Sequence, residues 1–225
     1  MKKTLLLATL LISTQAAASN WPSWRGPSGN GISPEKDIPS TWTTTENVAW
    51  KIDLPGAAGA TPAIWDDRIF VTSAEGKDLV LLCISTKGKI LWKAPLASGN
   101  KNIRGDEGNS AAPSPATDGK HVWTFLGTGD MHCFDMEGKL TWKKNFQKSY
   151  GAFDHWHGMS STPLLVDDTL YQMCLQIEDP YIVAIDKLTG KERWKVARES
   201  DALHESRHSY ASPILYQDGD EQQLL

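Results

Sequence analysis

The chain has 225 residues, 40% of them hydrophobic and 22% charged, a composition that excludes an intrinsically disordered protein. Its 23 basic and 27 acidic side chains leave a net charge of −4, which argues against the basic stripe of a nucleic-acid binder, so no nucleic-acid partner is expected. After the first dozen residues no apolar run approaches the roughly 20 residues that a membrane-spanning helix needs.

The N-terminus has the layout of a secretory signal. Lys2 and Lys3 are followed by an apolar run from Thr4 to Ile12, and Ala16, Ala17 and Ala18 supply a cleavage site. Residues 1–18 are therefore expected to be removed, leaving a soluble periplasmic or secreted protein with no transmembrane segment. No Cys follows the apolar run, so no lipid anchor is expected. Residues 19–46 read as an extended leader, and residues 47–225 as a series of repeats.

Tryptophan marks the repeat. Trp50, Trp92, Trp142 and Trp194 are each followed by Lys, and the last three each follow a Gly-Lys turn at Gly88, Gly138 and Gly190. A hydroxyl residue before proline recurs at Thr61-Pro62, Ser114-Pro115, Thr162-Pro163 and Ser212-Pro213. Each pair leads into a short apolar stretch and then an acidic turn: Asp66-Asp67, Asp118-Gly119, Asp167-Asp168 and Asp218-Gly219. The period of about fifty residues belongs to propeller blades. Each unit reads as four short strands: the first begins at the Ser/Thr-Pro pair, the third carries Cys83, Cys133 or Ala184, and the fourth carries the Trp. Trp50 is expected on a lone strand of the fourth type. An all-β propeller of four-stranded antiparallel blades follows. Three full units lie between Thr61 and Trp194, and a fourth begins at Ser212, so the chain reads as the N-terminal part of a longer propeller.

The repeat residues have structural work to do. The Trp rings are expected to pack between neighbouring sheets, each contributing about 2–3 kcal/mol on burial. Gly88, Gly138 and Gly190 permit a turn with positive φ, and Asp135 and Asp186 can accept hydrogen bonds from that turn. Cys83, Cys133 and Cys174 are odd in number, widely spaced and set in apolar stretches, so they read as buried strand residues. His132 and Cys133 are adjacent, and adjacent strand residues point to opposite faces, so they make no metal pair.

The stretch Ala184-Ile-Asp186-Lys-Leu-Thr189-Gly190-Lys191-Glu192-Arg-Trp194 resembles the repeat motif of PQQ-like β-propeller proteins (PQQ is pyrroloquinoline quinone). The leader Trp21-Pro22-Ser-Trp24-Arg25-Gly26-Pro27 is similar to the start of many exported members. The resemblance implies a propeller of seven or eight blades. The family includes quinoprotein alcohol dehydrogenases and the propeller subunit of the outer-membrane protein assembly machinery. Its dehydrogenases cover the quinone with a disulfide between adjacent cysteines and hold calcium with acidic and amide side chains. No Cys-Cys pair is present here, so no cofactor is assigned; PQQ with calcium remains the alternative.

Long polar segments join the blades, and binding residues collect on such loops. The second, Ser98–Pro113, holds Lys101, Arg104, Asp106, Glu107 and Asn109. The third, Gln147–Ser161, holds Asp154, His155, Trp156 and His157, and the fourth, Arg198–Ala211, holds His204, Glu205, Arg207, His208 and Tyr210. Asp154, His155, His157, His204, Arg207, His208 and Tyr210 are the candidate ligand-binding residues. His-x-His suits metal binding or acid–base work, whereas the same residues also suit a polar rim; no metal site and no catalytic residue is assigned. The expected function is an exported, non-catalytic binding or scaffold propeller with a protein or carbohydrate partner. The alternative is a quinoprotein-type oxidoreductase.

Overall fold

The computed structural model describes residues 19–36, 38–103, 105 and 108–225. The expected signal segment and Arg104, Asp106 and Glu107 lie outside the described residues, as does the side chain of Glu205. The first blade comprises β1 (Ala63–Trp65), β2 (Arg68–Glu75), β3 (Asp78–Ser85) and β4 (Ile90–Ser98) in spatial order. A small hairpin, β5 (Asn102–Ile103) and β6 (Gly108–Asn109), leads to the second blade: β7 (Ala116–Thr117), β8 (His121–Phe125), β9 (Asp130–Asp135) and β10 (Leu140–Asn145). Helix α1 (Phe146–Tyr150) precedes the third blade: β11 (Leu164–Val166), β12 (Thr169–Cys174), β13 (Tyr181–Asp186) and β14 (Glu192–Ala197). A 3-10 turn (His204–Arg207) precedes a two-stranded unit, β15 (Leu215–Asp218) and β16 (Glu221–Leu224). All strand pairs are antiparallel. These are blades of a β-propeller.

The core lies between blades, which explains the apolar runs. β3 is buried from Leu79 to Ile84 without alternation, because its two faces cover different partners. One face, with Phe70, Leu79, Leu81 and Cys83, packs against Val122 and Phe134 of the second blade. The other, with Val80, Leu82 and Ile84, packs against Trp50, Ile52 and Leu54. A second interblade core joins Trp123, Phe125, Met131 and Cys133 to Leu170, Cys174, Tyr181 and Val183. The three cysteines are free and buried, and burial pushes the thiols up to about 11 for Cys83 and about 12 for Cys133 and Cys174.

Three of the four repeat Trp residues reach forward into the following unit, whereas Trp194 stays 40% exposed. The Trp50 indole N–H donates to Thr86 O (2.7 Å), that of Trp92 to Met136 O (2.9 Å), and that of Trp142 to Lys187 O (2.9 Å). The ring lies on the glycine of that unit's turn. A Cβ on Gly88, Gly138 or Gly190 would stand 2.7–2.8 Å from the Trp50, Trp92 or Trp142 ring, respectively. The same glycines have φ of 74°, 84° and 68°. Asp135 accepts from the amides of Glu137 and Lys139, and Asp186 from those of Leu188 and Thr189.

Trp50 departs from expectation in one respect: no strand lies between residues 47 and 60. Among the described residues no strand stands beside it to form a ladder, and its ring is held by packing and the indole hydrogen bond alone. The second and third blade-joining segments are also more ordered than plain loops, since they contain β5–β6 and α1.

Candidate functional site

The candidate residues sit on the third and fourth blade-joining segments, which, like the second beside them, are pinned by local hydrogen bonds. In the second, Ser110 Oγ accepts from Lys101 N (3.0 Å), and Asn109 Nδ2 donates to Ala57 O (3.1 Å). In the third, Asn145 caps α1 by accepting from Lys148 N (2.9 Å), Gln147 accepts from Phe153 N (3.0 Å), and Ile177 N donates to Asp154 O (3.1 Å). In the fourth, Ser209 N donates to Leu175 O (2.9 Å). The second and third segments bound a cleft of about 350 Å³ whose lining includes Lys101, Asn109, Gln147, His155, Trp156 and His157.

Four of the seven candidates come together. The His155 ring centroid is 5.7 Å from that of His208 and 6.1 Å from that of Tyr210, and His157 lies 5.6 Å from Tyr210. His208 Nε2 and the Tyr210 hydroxyl are 2.8 Å apart, and Trp156 meets His208 edge-on at 5.5 Å. The other three stand apart. Asp154 and His204 are exposed, and Arg207 pairs with Glu178 at 3.6 Å. Gln147 and Phe153 of the cleft were missed by sequence reasoning. The length of the third segment was the only signal for them.

Burial, reinforced by the neighbouring His208 and opposed by Asp154, pushes His155 down to about 4. It is therefore neutral at pH 7, and too weak a base for efficient proton abstraction there. The backbone of Leu175 and Ser209 meets the His155 ring and also opposes that shift, while His208 Nδ1 is buried without a hydrogen-bond partner. Among the described residues no group of three or more His, Cys, Asp or Glu is placed to hold a metal ion. The three cysteines lie buried on β3, β9 and β12 of different blades. The residues described do not fit a calcium–quinone site of the family type.

The repeat architecture has counterparts among known proteins. A family model described as outer membrane protein assembly factor BamB matches residues 77–223, more than half of the chain. The chain belongs to this PQQ-like repeat family. A search of curated proteins gives no match. Among solved structures, this PQQ-like repeat chain is similar to the quinohemoprotein alcohol dehydrogenase from Comamonas testosteroni, with a TM-score of 0.61 and 19% identity over 83% of this chain and 28% of that one. The quinohemoprotein alcohol dehydrogenase from Pseudomonas putida HK5 gives 0.58 and 20%, over 81% and 27%. At these identities the likeness is one of fold. The chain thus spans little more than a quarter of the length of these two structures. No helix among the described residues is long and apolar enough to cross a membrane.

Proposed function

We propose that this chain is part of an exported, non-catalytic binding propeller of the PQQ-like repeat family. It acts in the periplasm and holds a protein partner in outer-membrane protein assembly. The family match over residues 77–223 carries this reading. The buried, neutral His155 beside His208 and Tyr210, with Trp156 58% exposed next to them, supports a contact surface in preference to an acid–base centre. His157 completes that surface, while Asp154, His204 and Arg207 stand apart from it. The comparisons give no support to a carbohydrate partner. A second reading, a quinoprotein-type oxidoreductase, is favoured by the likeness to two alcohol dehydrogenases.

One pair of measurements separates the two. A photo-crosslinking residue at position 156 of the full-length exported protein is expected to form an adduct with a component of the purified outer-membrane assembly machinery. Titration with PQQ and calcium is expected to leave the tryptophan fluorescence unchanged. Saturable, calcium-dependent quenching at micromolar PQQ, without an adduct, would replace the binding reading with the oxidoreductase.

A further inference from the structure

The first strands of the three blades, β1, β7 and β11, border a second cleft, of about 510 Å³, walled on one side by the leader. It shares no lining residue with the histidine cleft. The leader shows how the edges of these first strands are read. Ile64, the middle residue of β1, donates its N–H to Trp21 O (2.7 Å) and accepts from Trp21 N (2.9 Å). One blade further on, Thr117 N of β7 donates to Pro22 O (2.9 Å). The leader then turns away, closed by Gly26 N donating to Ser23 O (2.9 Å).

β11 continues the row that the leader leaves. Leu164, Leu165 and Val166 pair with Tyr171, Leu170 and Thr169, just as Ala63, Ile64 and Trp65 pair with Phe70, Ile69 and Arg68. In an antiparallel pair, alternate residues turn their N–H and C=O away from the partner strand. Ile64 is such a residue, and by register so is Leu165. Among the described residues neither backbone group of Leu165 bonds to another element. The space beside it is lined by Trp24, Trp65, Pro163, Pro213 and Ile214. Its volume lies within the range of about 300–1,000 Å³ typical of ligand pockets.

We propose that this cleft binds an extended peptide of another protein, rich in aromatic and proline side chains, which adds to β11 through Leu165 as the leader adds to β1 through Ile64. The proposal rests on the binding-propeller reading and deepens it by naming how a protein partner is held. Main-chain hydrogen bonds supply affinity in strand addition, and the walls supply selectivity. The Trp and Pro walls suit an extended proline-containing segment, the kind of segment the leader itself places against β1 and β7.

The probe is a synthetic peptide with the order of residues Asn20–Ser28, which this kind of edge already accepts. The full chain is titrated with it while amide hydrogen exchange is followed. The expected result is at least tenfold slower exchange at Leu165, with Ile64 and Thr117 unchanged. Leu165→Pro should abolish binding, since an edge position tolerates Pro while losing the outward N–H; Leu165→Val should retain it. Should Leu165→Pro disturb β12 and β13, the wild-type and Leu165→Val exchange data still decide. No slowing at Leu165 at millimolar peptide overturns the proposal. So does faster exchange at the leader's own Trp21 amide with Leu165 unchanged, which means the probe has merely replaced the leader. Failure here leaves the crosslink from position 156 untouched, and failure of that crosslink leaves this titration interpretable.

Discussion

The carbonyl of Lys187 accepts from two indoles, Trp123 (2.8 Å) and Trp142 (2.9 Å), while its ammonium pairs with Asp118 (2.8 Å). One residue of a surface turn therefore holds two blades together. The neighbouring glycines serve the same contact. At Gly138 an added Cβ meets both a positive φ and the Trp92 ring, whereas at Gly76 (φ 64°) it meets nothing within 4 Å. Gly76→Ala is expected to cost about 1–2 kcal/mol, the left-handed backbone penalty alone. Gly138→Ala should cost about 2–5 kcal/mol, because overpacking adds to that penalty. Urea midpoints of the two variants test the difference. His132 is 3% exposed, its Nδ1 lies 3.4 Å from Thr124 Oγ1, and burial pushes it down to about 4 despite Asp130. The unfolded chain takes up this proton near pH 6.5 and the folded protein only near 4, so stability present above 6.5 is lost as pH falls through that window. The loss is on the order of 3 kcal/mol. In urea unfolding across pH 4–7, His132→Gln should flatten this slope.

Between elements, the Ser/Thr-Pro marker proves to be a ladder. Thr61 N donates to Ser114 Oγ (2.9 Å), Ser114 N to Thr162 Oγ1 (3.0 Å), and Thr162 N to Ser212 Oγ (2.9 Å). Each hydroxyl satisfies the amide of the preceding blade. Ser114→Ala should leave the Thr61 amide unpaired and cost about 1–3 kcal/mol, with Ser114→Thr close to wild type by thermal unfolding. The spacing of these pairs was legible in the sequence, and so were the strand order within a blade and the buried cysteines. The bond itself was not, because its donor and acceptor lie about fifty residues apart and meet only when blades stack. The small hairpin β5–β6 was likewise hidden: two-residue strands carry too few side chains for a period to register.

At the scale of the whole molecule, interblade packing covers one outer strand and leaves another bare. Trp142 on β10 rests on the next blade, whereas β14 is exposed along all six residues, with Trp194 at 40% and Val196 at 58%. Trp194 and Val196 share one face of β14, and exposed apolar side chains of this kind attract dyes and other chains. The 225-residue chain is expected to bind a hydrophobic fluorescent dye at this face. Trp194→Lys with Val196→Lys should lower dye binding several-fold, with unchanged far-ultraviolet circular dichroism.

Repetition let the sequence alone determine the fold family. Period, turn chemistry and the Trp-Lys marker repeat three times over, and each copy reinforces the others. The repeated residues are those whose environment is set locally, by a turn or by the next blade's identical turn. The site had no such redundancy. Of the seven candidates drawn from the blade-joining segments, His155, His157, His208 and Tyr210 converge, while Asp154, His204 and Arg207 face elsewhere. That sorting depends on where backbone anchors such as Ile177 to Asp154 and Ser209 to Leu175 hold each segment. The leader's place against β1 and β7 was equally out of reach. It rests on main-chain hydrogen bonds that any non-proline residue can make, so tertiary structure alone decided it.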